Sequence, residues 1–344
     1  MVTVALDAMG SDLGPKATVA GAAKASLASG APEIVLVGDE AILRRLLTVH
    51  EHKRERVRIV HAPRFVPQDA KPKAALDAMP DCSVLKAASL VKSGEADVLV
   101  SAGNTGGVTL ACARTFERLP GVGRCALGAV YPTERRRGEK DDPFSLILDA
   151  GLTLEVDGKD LVAFAVMGSA YASRISKNPN PRVALLSNGT EPGKGTRAVV
   201  EANRQLQQLT SLNFIGNMEG MDIPKGTADV VVTGGFTGNI VLKMLEGVAE
   251  TVMRLGRYAG DKSIRYKAGL GLLAPAVKKL RRATDWEQYG GAPILGFDHI
   301  CIKAHGRSTE RAITNALKVA TRAARTELVH SIRSGLEEMQ ALEG

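Results

Sequence analysis

Short apolar runs alternate with longer helical patterns along most of the chain. The run Val2–Leu6 precedes a helical pattern at Ala17–Ser29, and Val98–Ser101 precedes another at Thr105–Leu119. The other strand candidates are Ile34–Val37, Val57–Val60, Leu127–Tyr131, Phe144–Leu148, Val183–Leu186, Asn213–Ile215, Val230–Thr233 and His299–Lys303, and the other helix candidates are Ala41–Val49, Ser83–Ser93, Leu161–Ser176, Thr196–Leu209, Asn239–Ala259 and Thr309–Gln340. Parallel strands need crossover connections, which are usually helices. The sequence therefore predicts an α/β fold, with a parallel sheet that has helices on both faces.

Composition limits how the core of such a fold can be built. Aromatic residues make up only 4% of the 344 residues, whereas apolar residues make up 44%. The core must consist mainly of Ala, Val, Leu and Ile, which suits helices packed on a parallel sheet. No Ser/Gly/Pro-rich linker divides the chain, although its length is large for one core. We expect a single α/β unit over 1–344, with room for two lobes around a central cleft and a basic helical hairpin at about 255–285.

The formal net charge of +8 favours anionic partners. Nucleic acid, anionic lipid and an acidic carrier protein all qualify, and the charge alone does not choose among them. The scarcity of aromatic side chains, on which bases stack, argues against nucleic acid. The N-terminal residues lack the basic region of a signal peptide, and no apolar run approaches the ~20 residues of a membrane-spanning helix. These features predict a cytoplasmic protein.

The four cysteines, Cys82, Cys112, Cys125 and Cys301, form no C-x-x-C pair. They also lack the spacing with histidine that is typical of metal ligands. Each lies in an apolar or Ala-rich setting, where a free thiol behaves as a small hydrophobic residue. We expect buried free thiols and no metal site.

Five loops rich in glycine and polar residues follow strand candidates. They are Asp7–Pro15, Ser101–Gly107, Ser187–Thr196, Thr233–Asn239 and Lys303–Ser308. Ligands of open α/β sheets bind at the carboxyl ends of strands, where glycine lets backbone N–H groups approach an anion at a helix N-terminus. The residues that we expect to bind phosphate or the acyl group are Asp7, Gly103, Asn104, Thr105, Gly106, Asn188, Gly189 and Gly238. The alternative is that these glycines serve only tight turns and packing.

Three polar side chains in these loops are candidates for catalysis. Lys194 lies between two glycines, so neighbouring side chains cannot shield it, and it resembles a phosphate-binding lysine. Asn239 follows a glycine at a helix start and offers an amide donor to a developing oxyanion or to phosphate. His305 lies between Lys303 and Arg307 at a strand end, although a lone histidine is more often structural.

Several well-known motifs are missing from the sequence. It contains no G-x-G-x-x-G, no G-x-x-x-x-G-K-[ST] and no H-E-x-x-H. It also lacks the G-x-S-x-G of serine hydrolases. Loops that are rich in donors but lack a nucleophile suit a reaction in which the substrate itself attacks, such as inorganic phosphate attacking a thioester. No cofactor is needed for such a reaction.

These loops resemble those of the bacterial phosphate acyltransferases of phospholipid synthesis. The matching segments are ALDAMGSDLGP from Ala5, SAGNTG from Ser101, FAVMGS from Phe164, NPNPRVALLSNGTEPGKGT from Asn178, FIGNMEGMDIPKGTADVVVTGGFTGN from Phe214, LKMLEG from Leu242, YGGAPILG from Tyr289 and KAHGRS from Lys303. The resemblance implies transfer of a fatty acyl group from acyl carrier protein to inorganic phosphate. It also implies a fold similar to that of phosphotransacetylases and isocitrate dehydrogenases, a homodimer, and peripheral attachment to the membrane.

The chain departs from the usual pattern of this family at several loop positions. The family usually reads D-x-G-A-N at the segment 149–153, which in this chain ends in Thr153 instead of Asn. It usually reads D-G-F-x-G-N at the segment 234–239, which in this chain begins with Gly234 instead of Asp. The segment after Thr153 reads Glu155-Val156 in place of the usual Asp-Cys, and Ser187-Asn188 stands where the family usually reads N-I or S-I. Two alternatives follow: a phosphotransacetylase-like enzyme that acts on acyl-coenzyme A, or a divergent paralogue without activity.

The segment 262–282 reads KSIRYKAGLGLLAPAVKKLRR, an apolar tip with basic flanks. Such a tip suits an anionic bilayer surface, because basic side chains are attracted to anionic lipid while apolar ones insert. The residues that we expect to contact the membrane are Leu270, Leu272, Leu273, Val277, Lys278 and Lys279. The alternative is a helical hairpin whose tip packs in a dimer.

Overall fold

The computed structural model describes residues 1–134, 144–263, 265–266, 268–269, 271–275 and 290–341, without the side chains of 257 and 259–262. These residues form one large sheet and the helices around it. The strands are β1 (Thr3–Asp7), β2 (Glu33–Gly38), β3 (Val57–His61), β4 (Val98–Ser101), β5 (Ala126–Pro132), β6 (Phe144–Leu148), β7 (Arg182–Leu186), β8 (Asn213–Met218), β9 (Val230–Val232), β10 (Ala292–Leu295) and β11 (Ile300–Lys303). The helices are α1 (Pro15–Ser26), α2 (Glu40–Leu47), α3 (Pro72–Ala78), α4 (Ser83–Lys92), α5 (Thr105–Thr115), α6 (Gly158–Ser176), α7 (Arg197–Leu206), α8 (Gly235–Lys262), α9 (Glu310–Arg325) and α10 (Leu328–Ala341).

The strands pair in the order β3-β2-β1-β4-β11-β10-β5-β6-β9-β7-β8. Most neighbours are parallel, as the sequence predicts, but β10 runs antiparallel to β11 and to β5, and β5 runs antiparallel to β6. These three reversals divide the sheet into two parallel halves of opposite direction. The first half is β3-β2-β1-β4-β11, and the second half is β6-β9-β7-β8.

Alternating side chains of the first half enter two different cores. On β1, Val4 and Leu6 pack in one core with residues of α1 and α9, whereas Ala5 packs in the other with residues of α4 and α5. Successive side chains of a strand point to opposite faces. Helices therefore cover both faces of this half, as predicted from the alternation of strand and helix patterns.

The second half is built in the same way around α6 and α8. Leu146 and Leu148 of β6 join the core that contains α6, and Ile147 packs on the other face with Leu242 and Leu245 of α8. Helix α6 begins at a capping box, in which the side chains of Asp157 and Asp160 each accept the other's backbone N–H. Such a box satisfies two N–H groups that a helix start would otherwise leave unpaired.

Three elements differ from the predictions. Strand β10 and helix α3 were not expected, because β10 has four residues including Pro293 and α3 has seven, too few for a clear periodicity. The long helix predicted over Thr309–Gln340 is two helices, since Glu327 adopts a left-handed backbone conformation with φ 51° that ends α9. A non-glycine residue in this conformation leaves little sequence signal.

The described helices include none that is both long enough and apolar enough to cross a membrane. All four cysteines are free; Cys82, Cys112 and Cys301 are buried as predicted, whereas Cys125 is only half-buried. The basic segment expected as a hairpin at 255–285 lies partly outside the described residues. Of its expected membrane-contact residues, Leu270, Val277, Lys278 and Lys279 lie outside them, whereas Leu272 and Leu273 are described and exposed.

Candidate active site

Three of the predicted loops meet at the carboxyl ends of β1, β4 and β11. Lys303 pairs with Ser101 across β11 and β4, and Ala304 N donates to Ser101 O over 2.8 Å. The loop after β1 joins them, because Asp12 N and Ser11 Oγ both donate to Gly306 O over 2.9 Å. The first, second and fifth loops therefore form one continuous surface.

Asp7 lies beneath this surface and is buried. Its Oδ1 accepts a hydrogen bond from Ser83 Oγ over 2.7 Å, and its Oδ2 accepts one from Ser101 Oγ over 2.7 Å. Ser101 Oγ in turn accepts the backbone N–H of Gly103 over 3.0 Å. The carboxylate thus holds the second loop in place from below.

Asn104 caps helix α5. Its Oδ1 accepts the N–H of Gly107 over 2.9 Å, and its Nδ2 donates to Gln68 O over 2.6 Å. Gln68, which the sequence analysis did not single out, also ties two loops together, since its Nε2 donates to Gly10 O over 2.7 Å and to Ala102 O over 2.9 Å. The capped N-terminus of α5 leaves Thr105 and Gly106 N–H at the surface where the loops meet.

A cavity of about 210 Å³ opens at this surface. Its wall includes two of the predicted site residues, Thr105 and His305, and also Lys303 and Ser308. The remaining lining residues are mainly apolar: Leu127, Ala129, Val130, Ala150, Leu242, Glu246, Gly291, Ala292, Ala304 and Ala312. Residues from both halves of the sheet line the cavity, together with residues of β5, β10 and α8. It combines polar donors at one end with an apolar wall, as ligand sites commonly do.

Lys303 and His305 give the cavity its electrostatic character. Lys303 is 7% exposed, and burial lowers its pKa to about 8. The pKa of His305 is also lowered, first by partial burial of the ring and then by the charge of Lys303. Arg307 N donates to His305 Nδ1 over 3.2 Å. The ring is therefore neutral at pH 7 with its proton on Nε2, a donor for an oxygen atom.

Asp149 organises the opposite side of the cavity, next to Ala150. Its buried carboxylate accepts backbone N–H groups of Leu127 and Gly151 over 3.0 Å each and that of Thr153 over 2.7 Å. Thr153 Oγ1 adds a further bond to Asp149 Oδ2 over 2.8 Å. A buried carboxylate with this many donors fixes the loop after β6 rigidly.

The first turn of α8 packs directly on this loop through glycine. A Cβ on Gly238 would lie 1.9 Å from Asp149 O, and one on Gly235 would lie 2.5 Å from Asp149 Oδ2. The same close approach brings Asn239 to the loop, because a Cβ on Gly151 would lie 2.6 Å from Asn239 Nδ2. Asn239 is therefore placed beside Gly151, the residue that follows Ala150 of the cavity wall, although Asn239 itself does not line the cavity.

Lys194 and its loop lie farther from the cavity. The loop follows β7, which β9 separates from β6, and no residue of 187–196 lines the described cavity wall. Lys194 and Asn188 are exposed, and Asn217 Nδ2 holds the loop by donating to Glu191 O over 2.8 Å. Of the predicted site residues, the structure thus places Thr105 and His305 in the cavity wall and Gly103, Asn104 and Gly106 in the same loop as Thr105, whereas Lys194, Asn188 and Gly189 lie elsewhere.

Known proteins resemble this chain over nearly its whole length. It is 39% identical over 337 residues to a phosphate acyltransferase of Dictyoglomus turgidum, and the alignment covers 98% of both chains. It is 37% identical over 336 residues to a phosphate acyltransferase of Thermoanaerobacter pseudethanolicus, with the same coverage. A solved phosphotransacetylase from Streptococcus pyogenes superposes with a TM-score of 0.63 at 18% identity, over 95% of this chain and 94% of that one. This likeness confirms the fold that the sequence predicts.

The model of one protein family covers most of the chain. That family is described as fatty acid synthesis protein, and its model matches residues 2–331. The match includes all five loops and every residue described at the cavity. The chain belongs to the fatty acid synthesis protein family.

Proposed function

We propose that this protein transfers a fatty acyl group from the thioester of an acyl carrier protein to inorganic phosphate, giving acyl phosphate and the free carrier thiol. The observation that carries the proposal is the cavity itself, in a chain with full-length relatives named phosphate acyltransferase. A buried cation and polar donors at one end suit phosphate. The apolar wall suits an acyl thioester.

The reaction is balanced without a cofactor. An unprotonated oxygen of hydrogen phosphate attacks the thioester carbonyl, the new C–O bond forms, and the C–S bond breaks as the intermediate collapses. The acyl phosphate loses its proton to water, and the sulfur gains one. A thiol with a pKa near ~8.5 is a good leaving group, so no strong acid is required.

Asn239 and His305 are the residues that we propose to stabilise charge on the carbonyl oxygen or the phosphate. Both offer an N–H donor near the cavity, and preorganised donors stabilise the charge that develops in the transition state. Replacing Asn239 with Ala should lower kcat by roughly 10²-fold or more. An unchanged kcat would remove Asn239 from this role.

The donor is identified by competition between two thioesters. Palmitoyl–acyl carrier protein and palmitoyl-coenzyme A are each supplied with phosphate, and acyl phosphate is measured. We expect a higher kcat/KM with the carrier protein. A preference for coenzyme A would identify a phosphotransacetylase-like enzyme instead, and no product with either would favour a paralogue without activity.

We further propose a homodimer that forms through α8. Ile240, Met244, Val248, Val252 and Leu255 follow one another at helical spacing, and each is more than half exposed. Leu242 and Leu245 of the same helix pack on the sheet instead. A continuous apolar stripe on a helix indicates an interaction surface. Light scattering should give twice the chain mass, and a Met244→Glu, Val248→Glu variant should be monomeric.

Peripheral attachment to an anionic membrane is the third part of the proposal. Leu272 is 85% exposed and Leu273 is 57% exposed, and the sequence that follows is rich in Lys and Arg. Each large aliphatic side chain that becomes buried contributes about 1.5–3 kcal/mol. We expect sedimentation with anionic vesicles that weakens as salt increases. A Leu272→Glu, Leu273→Glu variant should lose vesicle binding but keep its activity on a water-soluble thioester, and undiminished binding would contradict membrane contact here.

A further inference from the structure

Ser308 carries an unsatisfied hydroxyl at the cavity. The residue is 1% exposed, and its Oγ has no hydrogen-bond partner among the described residues. Burying a hydroxyl without a partner costs free energy, and native proteins rarely leave one in this state. Because Ser308 lines the cavity, the missing partner is most simply a ligand.

Lys303 is a buried cation in the same wall. Its Nζ donates to Ala304 O, but no salt bridge joins it to a carboxylate of the described residues. A buried ammonium group without an ion-pair partner is costly. An anion in the cavity would offset that cost.

The surroundings of Lys303 do not supply such an anion. The charged and titratable groups near it are Asp7 on β1, Asp12 in the loop that follows, Cys301 on its own strand, His305 beyond it and Glu246 on α8. Asp7 is already bonded to Ser83 and Ser101. The two acids raise the pKa of Lys303, but less than burial lowers it, so the net shift remains downward.

We propose that Lys303 and Ser308 bind the phosphate nucleophile at the polar end of the cavity, and that the N-terminus of α5 at Thr105 completes the site. The inference rests on the proposed function and assigns one of its two substrates to particular atoms. Three kinds of donor then surround the phosphate: an ammonium group, a hydroxyl and backbone N–H groups.

A phosphate dianion explains the two groups better than the thioester carbonyl does. The dianion is charged before reaction, so it satisfies Lys303 in the ground state, whereas the carbonyl gains its charge only in the transition state. A helix N-terminus also favours a bound anion. The apolar residues farther along the wall remain available for the acyl chain and its thioester.

Replacing either residue tests the assignment, because the KM for phosphate should change while the KM for the thioester should not. Ser308→Ala and Lys303→Met should each raise the KM for phosphate by roughly tenfold or more, as expected for loss of a hydrogen bond to a charged group. The KM for palmitoyl–carrier protein should stay within twofold. Titration of the free protein with inorganic phosphate, in a calorimeter and without thioester, should show the same loss of affinity.

The chain offers a matched control for each variant. Ser176 has the other unpartnered buried hydroxyl of the described residues and does not line the cavity, so Ser176→Ala should leave the phosphate KM unchanged. Lys318 is an exposed lysine on α9, and Lys318→Met should also have no effect. Without phosphate, Ser308→Ala should be as stable as the parent, since no protein hydrogen bond is lost; a structural role would lower its stability.

The pH dependence of phosphate affinity is a further test of the role of Lys303. Lys303 is protonated below its pKa of about 8, so phosphate affinity should fall as pH rises above that value. Lys303→Arg keeps its charge and should lose this alkaline dependence, although its weaker geometric fit raises the phosphate KM throughout.

The results of these experiments distinguish failure of the proposed phosphate site from failure of the proposed function. A parent protein that forms no acyl phosphate would contradict the function, whatever the variants do. A parent that is active, with Ser308→Ala and folded Lys303→Met both within twofold in phosphate KM and in calorimetric affinity, would overturn the phosphate site. A fall in kcat at unchanged phosphate KM would also overturn it, because that pattern assigns the pair to the carbonyl oxygen. If Lys303→Met does not fold, Ser308→Ala decides alone.

Discussion

The hydroxyl of Thr153 donates to the buried carboxylate of Asp149 over 2.8 Å. The same oxygen accepts the backbone N–H of Gly235 over 3.1 Å. One side chain thus ties the loop after β6 to the start of α8, at a position where the family that this chain resembles usually has asparagine. The threonine satisfies both partners, so the departure at this position keeps the loop ordered.

We expect Thr153→Val to reduce the free energy of unfolding. Valine has nearly the same shape but leaves the Gly235 N–H without its partner and removes one donor from Asp149. Loss of a buried partner costs about 1–3 kcal/mol, which urea unfolding would measure. Thr153→Ser keeps the hydroxyl and should stay closer to the parent. Equal free energies of unfolding for the parent and both variants would show that the Thr153 hydroxyl contributes nothing to stability.

Gly238→Ala should displace the first turn of α8. The added methyl group would lie 1.9 Å from Asp149 O, a backbone atom that cannot move aside cheaply. Forcing an extra group into a packed region costs about 1–3 kcal/mol, and the shift of Asn239 should also reduce kcat. Gly247 lies on the same helix with nothing within 4 Å of its Cβ position. Gly247→Ala should therefore be neutral or slightly stabilising, and a Gly238→Ala protein that matched it would refute the close packing.

The fold could be predicted because burial on both faces of a strand leaves a strong pattern. Val98–Ser101 and Phe144–Leu148 have the same bounds in the sequence prediction and in the structure. Strand β10 left no such pattern, since Pro293 interrupts four residues that become a strand only by lying between β11 and β5. The reversals of direction around β10 and β5 depend on tertiary pairing, which a single sequence does not show.

The assignment of Lys194 to the site rests only on the composition of its loop. The sequence assigns it to phosphate because it lies between glycines, yet the structure places it in an exposed loop away from the cavity wall. We still predict that Lys194→Ala raises the phosphate KM or abolishes turnover while the fold survives, since the charge of an exposed lysine attracts phosphate. Circular dichroism and steady-state kinetics would check both parts. Activity within twofold of the parent would remove Lys194 from the site.

His305 should produce the acidic limb of the rate profile. Its lowered pKa keeps the ring neutral at pH 7. As pH falls through this pKa, Nδ1 gains a proton, so it can no longer accept the Arg307 N–H that orients the ring. We expect kcat, measured at saturating phosphate between about pH 5 and 8, to fall more steeply on the acidic side in the parent than in His305→Gln. Titration of phosphate is common to both proteins, so an equally steep acidic limb in the variant would assign it elsewhere.

The sequence pointed to loops that meet at the cavity, but it did not point to every residue that lines or supports the cavity wall. His305 and Thr105, two of the predicted site residues, line the cavity, because glycines and strand ends mark such loops clearly. Ser308 and Gln68 were missed, since their importance comes from what they contact or fail to contact: an unpaired buried hydroxyl in one case, and bonds to Gly10 and Ala102 in the other. Burial of this kind depends on packing and leaves no local signal.

The most direct measurement is the reaction itself. Purified protein is incubated with palmitoyl–acyl carrier protein and inorganic phosphate, and acyl phosphate and free carrier thiol are both quantified. We predict equal amounts of the two products, formed only when protein and phosphate are both present. A thioester that stays intact, or one that is cleaved at the same rate without phosphate, would contradict it.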